Sequence, residues 1–93
     1  MIRSFRDSDT EGIFTRQGSR RFPTAIQGVA LRKLVLLHGS GTLGDLRLPP
    51  GNRLEKLRGE RPGQYSIRIN DQYRICFEWR DGDAYQVEIA DYH

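Results

Sequence analysis

The second half of the chain alternates between apolar and polar side chains, which is the pattern of half-buried β-strands. The alternating apolar positions form three groups: Tyr65, Ile67 and Ile69; Tyr73, Ile75, Phe77 and Trp79; Tyr85, Val87 and Ile89. Turn-forming pairs at Asn70-Asp71 and Asp81-Gly82 separate these groups. The pattern predicts three consecutive antiparallel strands, preceded by a weaker strand over residues 54–58.

The first half has apolar residues at helical spacing instead. Its clearest helix begins at Pro23-Thr24 and ends at Gly39-Ser40-Gly41, because proline suits a first helical position and glycine ends helices. The predicted buried stripe consists of Ile26, Val29, Ala30, Leu34 and Leu37, widened by Leu31 and Val35. A short edge strand over residues 1–5, a short helix that stops at Gly18 and one helical turn over residues 43–46 complete the prediction. We therefore expect one α+β domain over residues 1–93, with two N-terminal helices packed on a small, mainly antiparallel twisted sheet.

The pairing of the predicted strands follows from the need to keep apolar side chains on one face. Three-residue loops at 70–72 and 81–83 satisfy this need, since they pair Ile75 with both Ile67 and Ile89. The same register places Arg68 directly opposite Arg74. Two like charges in that position destabilise a sheet unless an anion such as a phosphate lies between them. The alternative is that Glu78 or the C-terminal carboxylate neutralises the pair.

The composition of the chain excludes several classes of protein. The 93 residues include one cysteine, Cys76, which excludes a disulfide framework and a cysteine-based zinc site within one chain. No stretch approaches the roughly 18 apolar residues that span a bilayer, so we expect a cytoplasmic domain without a membrane partner. The net charge is only +3, but residues 16–61 contain ten basic residues and three acidic ones. A basic excess of this kind is typical of a surface that binds polyanions.

The last predicted strand ends in Asp91-Tyr92-His93. A carboxylate, a phenol and an imidazole beside paired arginines are the groups that acid–base cleavage of a phosphodiester needs. A base takes the proton of the ribose 2′-hydroxyl, cations stabilise the phosphorane, and an acid protonates the leaving 5′-oxygen. This chemistry requires no metal and no cofactor. Strict alternation places Tyr92 on the face of Arg74 and the other two residues on the opposite face.

The run Gly-Gln-Tyr-Ser-Ile-Arg-Ile-Asn-Asp-Gln-Tyr-Arg at residues 63–74, together with the terminal Asp-Tyr-His, resembles the HigB toxins of type II toxin–antitoxin modules. These toxins belong to the RelE/ParE superfamily. The resemblance implies a ribosome-dependent endoribonuclease that enters the ribosomal A site and cuts mRNA. It also implies a HigA-like helix-turn-helix antitoxin, through which operator DNA is contacted only indirectly.

The resemblance also implies site residues. It assigns Asp91, Tyr92 and His93 to the catalytic group, Arg74 to its sheet arginine, and Arg58 to a basic position near the scissile phosphate. Some members have a histidine where this chain has Glu55, so the general base is Glu55, Asp91 or His93. The residues expected to bind RNA or the ribosome are Arg20, Arg21, Arg32, Arg53, Lys56, Arg61 and Arg68.

Two other functions are compatible with the same fold. One is a ParE-like toxin that inhibits DNA gyrase without catalysis, against which the terminal Asp-Tyr-His beside Arg74 argues. The other is a non-catalytic RNA-binding module with a degenerate site, which Glu55 favours.

Overall fold

A computed structural model describes residues 1–57 and 63–91 of the chain. The predicted site residues Arg58, Arg61, Tyr92 and His93 therefore lie outside the described residues. Two α-helices come first, α1 (Ser8–Phe14) and α2 (Thr24–Gly39), followed by short 3₁₀ helices at Leu43–Arg47 and Pro50–Asn52. Four strands follow: β1 (Glu55–Lys56), β2 (Gln64–Arg68), β3 (Tyr73–Arg80) and β4 (Asp83–Asp91). The predicted α+β class is confirmed.

Helix α1 is short because capping and a close chain reversal limit it at both ends. The Asp7 carboxylate accepts a hydrogen bond from the Thr10 backbone N–H at 2.7 Å, which caps the first turn. At the other end, the backbone N–H of Gly18 donates to the Gly12 carbonyl. A Cβ atom at Gly12 would lie 2.7 Å from the Gly18 carbonyl oxygen, so this reversal requires glycine. The helix therefore ends well before Gly18, as the chain folds back onto it.

Helix α2 has the predicted bounds and buries one stripe. Ile26, Ala30, Leu34 and Leu37 are buried and pack in the core. The predicted widening of the stripe by Val35 is wrong, because this side chain is 50% exposed. Helix α2 packs against the sheet along one side, so a position on the opposite side of the helix remains in solvent.

The sheet is fully antiparallel, in the order β1-β2-β3-β4. The pairing predicted for the first hairpin is confirmed, since Ile67 lies opposite Ile75 and Arg68 opposite Arg74. Ile67 and Ile75 are fully buried and face the helices, so the register places the apolar set in the core.

The loop predicted for the second hairpin is wrong. Asp81 and Gly82 form a two-residue turn with φ of 51° and 82°, the left-handed pair that a type I′ turn requires. The register then shifts at a β-bulge beyond Glu78, where Gln86 has a φ of 53°. This extra residue restores the predicted pairing of Ile75 with Ile89. The bulge also moves Tyr85 to the other face of the sheet, because Tyr85 pairs with Glu78 and Ala84 takes the place opposite Trp79. The predicted grouping of Tyr85 with Val87 and Ile89 on one face is therefore wrong.

The N-terminal segment lies along the outer edge of β4. Ile2 and Phe5 form isolated parallel bridges with Ala84 and Val87, in place of the predicted edge strand. The Ile2 backbone N–H donates to Nδ1 of His38 at 3.1 Å, which ties this segment to α2 as well. Covering an edge in this way limits its pairing with other chains.

Candidate functional site

The face of the sheet that points away from the helices carries most of the predicted catalytic residues that the structure describes. Glu55 pairs with Ser66, and Arg68 pairs with Arg74 in the next row. Because paired residues point to the same side and neighbouring residues alternate, these four side chains share one face, opposite to Ile67. The fold therefore brings Glu55, Arg68 and Arg74 together, as the sequence predicted for the two arginines.

Arg74 is held firmly in this face. Its side chain is only 10% exposed, and its Nε donates to the Ser66 hydroxyl at 2.8 Å. Its Nη2 donates to the backbone carbonyls of Ser66 at 3.3 Å and Arg53 at 2.5 Å. These bonds connect β3 through β2 to the segment that leads into β1. Within the part of the chain that the structure describes, no hydrogen bond engages Nη1.

Among the described residues, Glu55 is the carboxylate that forms an ion pair with this guanidinium. Its Oε2 lies 4.0 Å from Nη2 of Arg74, and its own side chain is 60% exposed. The pair combines a buried, oriented cation with a carboxylate that solvent reaches. Such an arrangement can hold an anionic group and offer a base beside it.

Arg68 has a different partner, although it lies opposite Arg74. Its guanidinium forms an ion pair with the Asp71 carboxylate in the turn that follows β2. Glu78, which was expected to neutralise the arginine pair, instead lies 3.8 Å from Arg80. The like charges of Arg68 and Arg74 are thus offset by Asp71 and Glu55, and the two guanidinium groups are directed to separate acceptors.

Asp91 lies at the same end of the sheet. It pairs with Tyr73, one step from the pairing of Ala90 with Arg74. Its Oδ2 accepts a hydrogen bond from Nε2 of Gln72 at 3.0 Å. Alternation along β4 places Asp91 on the face opposite to Arg74, as the sequence predicted.

The described residues expected to bind RNA come from several elements of the fold. Arg20 and Arg21 lie in the connection between the helices, and the Arg21 guanidinium packs 5.0 Å from the ring centroid of Phe22. Arg53 and Lys56 line a cleft near β1. Arg32 lies on the exposed side of α2.

Lys33 adds to the positive field around Arg32 and Arg68. Burial lowers the pKa of Lys33, and the positive charges of Arg32 and Arg68 lower it further. Its Nζ donates to the side-chain oxygen of Asn52, which is fully buried. The charges of Arg32 and Arg68 therefore both act on Lys33, which raises the positive potential around it.

Sequence reasoning missed Ser66 and Arg47. Ser66 is the hydroxyl that orients Arg74, and its position opposite Cys76 on the polar face is the signal that places it beside that arginine. Arg47 lines the cleft with Arg53 and Lys56. The sequence separates it from them by irregular chain, so no periodic pattern connects the three.

Two general features complete the description. In residues 1–57 and 63–91, no group of three or more His, Cys, Asp and Glu side chains is arranged to hold a metal ion. Neither described helix is long and apolar enough to cross a membrane.

Comparison with known proteins gives consistent matches. The model of the HigB-like toxin family, described as the RelE-like toxin HigB of type II toxin–antitoxin systems, matches residues 3–93. The chain is 41% identical over 85 residues to Toxin HigB-1 of Vibrio cholerae serotype O1, covering 90% of each protein. It is 28% identical over 93 residues to Endoribonuclease HigB of Proteus vulgaris, covering 100% of each. A crystal structure of a histidine-to-glutamine mutant of YafQ from E. coli shares the fold, with a TM-score of 0.65 at 12% identity over 99% of this chain and 92% of that one.

Proposed function

This chain belongs to the HigB-like family of RelE-like toxins of type II toxin–antitoxin systems, and from that premise we propose that it is an endoribonuclease that cuts mRNA in the ribosomal A site. The name of the Proteus vulgaris relative, Endoribonuclease HigB, supports the activity. The result of cleavage is inhibition of translation.

The placement of Arg74 beside Glu55 carries the proposal. A phosphodiester at this face meets a guanidinium whose direction is fixed by Ser66 and by the Arg53 carbonyl. A preorganised cation stabilises the charge that develops on the phosphorane without having to reorient during the reaction. Arg58 supplies a second positive charge in this proposal, and Arg68 holds the RNA backbone.

The reaction is an in-line attack of a ribose 2′-hydroxyl on the adjacent phosphorus. A base removes the hydroxyl proton, the bond to the 5′-oxygen breaks, and an acid protonates that oxygen. The products are a 2′,3′-cyclic phosphate and a 5′-hydroxyl. Asp91, His93 and Glu55 are the candidates for base and acid, and Tyr92 stacks on a base of the substrate.

Glu55 has one advantage among the candidate bases. Its carboxylate is exposed and lies on the face of Arg74, whereas Asp91 is directed to the opposite face. A base on the same face as the cation reaches the 2′-hydroxyl of the phosphate that the cation binds. Glu55→Gln therefore separates the alternatives, since it removes the base while it keeps the size of the side chain.

The proposed partners follow from the family. A type II toxin is neutralised by an antitoxin protein, and we assign this role to a HigA-like helix-turn-helix protein that contacts operator DNA. The ribosome and its mRNA supply the substrate, so the proposed place of action is the cytoplasm. The exposed cations Arg20, Arg21 and Arg32 would add affinity for ribosomal RNA that falls as salt rises.

Primer extension on a translated mRNA tests the activity. We expect new 5′ ends in phase with codons for the native chain, and their loss for His93→Gln and Arg74→Ala. Arg80→Ala is the matched control, because it removes an exposed arginine from the same strand and should leave the cleavage pattern intact. A thermal melt accompanies each variant, and Arg74→Lys tests the guanidinium fork if Arg74→Ala does not fold.

Other outcomes are equally informative. Arrest of DNA supercoiling with intact mRNA would replace the proposal by gyrase inhibition. RNA binding without any new 5′ ends would identify a non-catalytic module. Cleavage that survives both His93→Gln and Arg74→Ala would refute the assignment of the site.

A further inference from the structure

A cleft opens beside β1 on the side of the sheet that faces the helices. It has a volume of about 600 Å³ and is lined by Leu43, Arg47, Pro50, Arg53, Leu54, Lys56 and Tyr65. Lys56 pairs with Tyr65, one position from the pairing of Glu55 with Ser66. Alternation therefore places this cleft on the face opposite to Glu55 and Arg74.

The described charges around the cleft have one sign. Arg47, Arg53 and Lys56 are exposed, and none of the described residues that line the space is a carboxylate. Among the residues that the structure describes, none of the three cations takes part in an ion pair. The nearby Asp45 carboxylate accepts the backbone N–H groups of Gly41 and Thr42, so it is directed to its own helical cap. Unpaired cations around one cleft attract an anionic ligand.

The floor of the cleft is aromatic and apolar. The ring of Tyr65 stacks on that of Phe77, with centroids 6.4 Å apart and planes inclined by 29°. Phe77 is buried and contacts Trp79 edge-on, so the Tyr65 ring rests on a fixed base. Leu43 and Leu54 pack against the core beside it.

A nucleotide matches this combination better than an acidic peptide does. A fixed aromatic ring offers a surface for stacking to any nucleobase, and the cations around it bind the phosphates on either side. An acidic side chain would use the cations but would gain little from an oriented ring. The volume also lies within the range of about 300–1,000 Å³ that small-molecule sites occupy.

We propose that this cleft is a subsite for one nucleotide of single-stranded RNA, with the base on Tyr65 and its phosphates on Arg47, Arg53 and Lys56. This inference rests on the proposed function in that RNA is the ligand. The subsite lies across the β1 edge from the cutting site. Arg53 links the two faces, since its carbonyl accepts a hydrogen bond from Arg74 while its side chain lines the cleft. An RNA strand that bends around this edge would contact both faces.

Fluorescence anisotropy with a labelled RNA hexanucleotide tests the subsite, and 2′-O-methyl groups on the probe prevent its cleavage. Tyr65→Leu should weaken binding roughly 5- to 150-fold, the range for loss of one stacked base. Tyr65→Phe keeps the ring and should bind as the native chain does. Arg47→Gln should weaken binding and reduce the dependence of affinity on salt by about one unit of slope.

Arg16→Gln is the matched control for charge. It removes one exposed cation outside the cleft and should leave both affinity and salt dependence nearly unchanged. Native binding by a Tyr65→Leu variant with a normal thermal melt would overturn the proposal. Complete displacement of the RNA by an equal concentration of a poly-glutamate peptide would also overturn it, in favour of an acidic protein ligand.

Two further experiments identify the source of the bound RNA and distinguish failure of the subsite from failure of the proposed nuclease activity. On translating ribosomes, a message that contains 4-thiouridine should crosslink to the cleft if the nucleotide comes from mRNA, whereas crosslinks to ribosomal RNA assign it to the ribosome. Tyr65-dependent RNA binding by a chain that never cuts mRNA would support the subsite and refute the nuclease. If the chain cuts mRNA but Tyr65→Leu binds RNA as the native chain does, the subsite alone is refuted.

Discussion

Replacing Ser66 by alanine should destabilise the fold more than the loss of an ordinary buried hydroxyl does. Ser66 is fully buried, and its Oγ accepts the Nε–H of Arg74 at 2.8 Å. In Ser66→Ala this charged donor remains in place, on a side chain that is only 10% exposed, without its acceptor. The cost is then the desolvation of a charged group and not merely the loss of one neutral hydrogen bond.

Ser40 provides the comparison from which the magnitude follows. It is 4% exposed, and its Oγ donates to the Leu36 carbonyl at 2.8 Å. A neutral hydrogen bond of this kind contributes about 0.5–1.5 kcal/mol, whereas one to a charged group contributes about 1.5–3 kcal/mol. We therefore expect Ser66→Ala to lower the free energy of unfolding by about 2 kcal/mol, and Ser40→Ala by about 1 kcal/mol. For a domain of this size, 2 kcal/mol corresponds to a fall in Tm of roughly 8–16 °C.

Urea denaturation followed by the fluorescence of Trp79, the one tryptophan of the chain, measures both variants. A double-mutant cycle with Arg74→Met then isolates the interaction. Once the guanidinium is gone, Ser66→Ala removes an acceptor that no charged donor needs, so its cost should fall by at least about 0.5 kcal/mol. An equal slope of the free energy against urea in all variants is required for this comparison.

One pattern of results would refute the reasoning. If Ser66→Ala costs no more than Ser40→Ala, and costs the same in the native and Arg74→Met backgrounds, Ser66 does not anchor the guanidinium. The preorganisation of Arg74 on which the proposed mechanism depends would then lose its physical basis.

Three further predictions concern the scaffold. Leu34→Ala should lower the free energy of unfolding by about 2–5 kcal/mol because Leu34 is fully buried; Leu48→Ala, at a side chain that is 68% exposed, should change it by less than about 0.5 kcal/mol in the same urea titration. Asp7→Ala should cost about 1 kcal/mol, since the first turn of α1 loses its cap, and circular dichroism during thermal melting measures it. Burial alone would raise the pKa of Asp83, but hydrogen bonds and charge from the N-terminal ammonium and Arg3 hold it below its ordinary value. The ion pairs of Asp83 therefore contribute their full stability above the ordinary pKa of a carboxyl group, and this stability is lost as the pH falls through the lowered pKa of Asp83. On acidification, Tm should fall less in Asp83→Asn than in the native chain. An equal fall of Tm in both proteins would contradict this prediction.

The sequence determined the elements and much of their pairing. Helix α2 has the predicted limits because proline at its start and glycine at its end act locally. The pairing of Ile67 with Ile75 was predictable because a slip by one residue would expose the whole apolar set. The same constraint predicts Arg68 opposite Arg74, as the structure has it.

The hydrophobic pattern did not predict the strand pairing correctly where the backbone departs from regular strand geometry. The two-residue turn at Asp81-Gly82 and the bulge at Gln86 compensate each other, so the predicted three-residue loop gave the correct pairing of Ile75 with Ile89 for the wrong reason. The Asp-Gly pair is itself a signal for a type I′ turn, but nothing in the pattern marks Gln86, whose positive φ depends on the surrounding contacts.

The tertiary structure alone decided how the charges are used. Sequence placed two arginines opposite each other, but only the fold directs Arg68 to Asp71 and Arg74 to Ser66 and Glu55. Long side chains can reach several partners. Arg68 takes a nearby one in the turn, whereas the Glu55 carboxylate reaches Arg74 from a segment distant in the chain. The cleft lined by Arg47 and Lys56 likewise forms only because the fold packs separate segments together. Periodicity therefore specified which residues share a face, and packing between distant segments specified what each side chain on that face can bind.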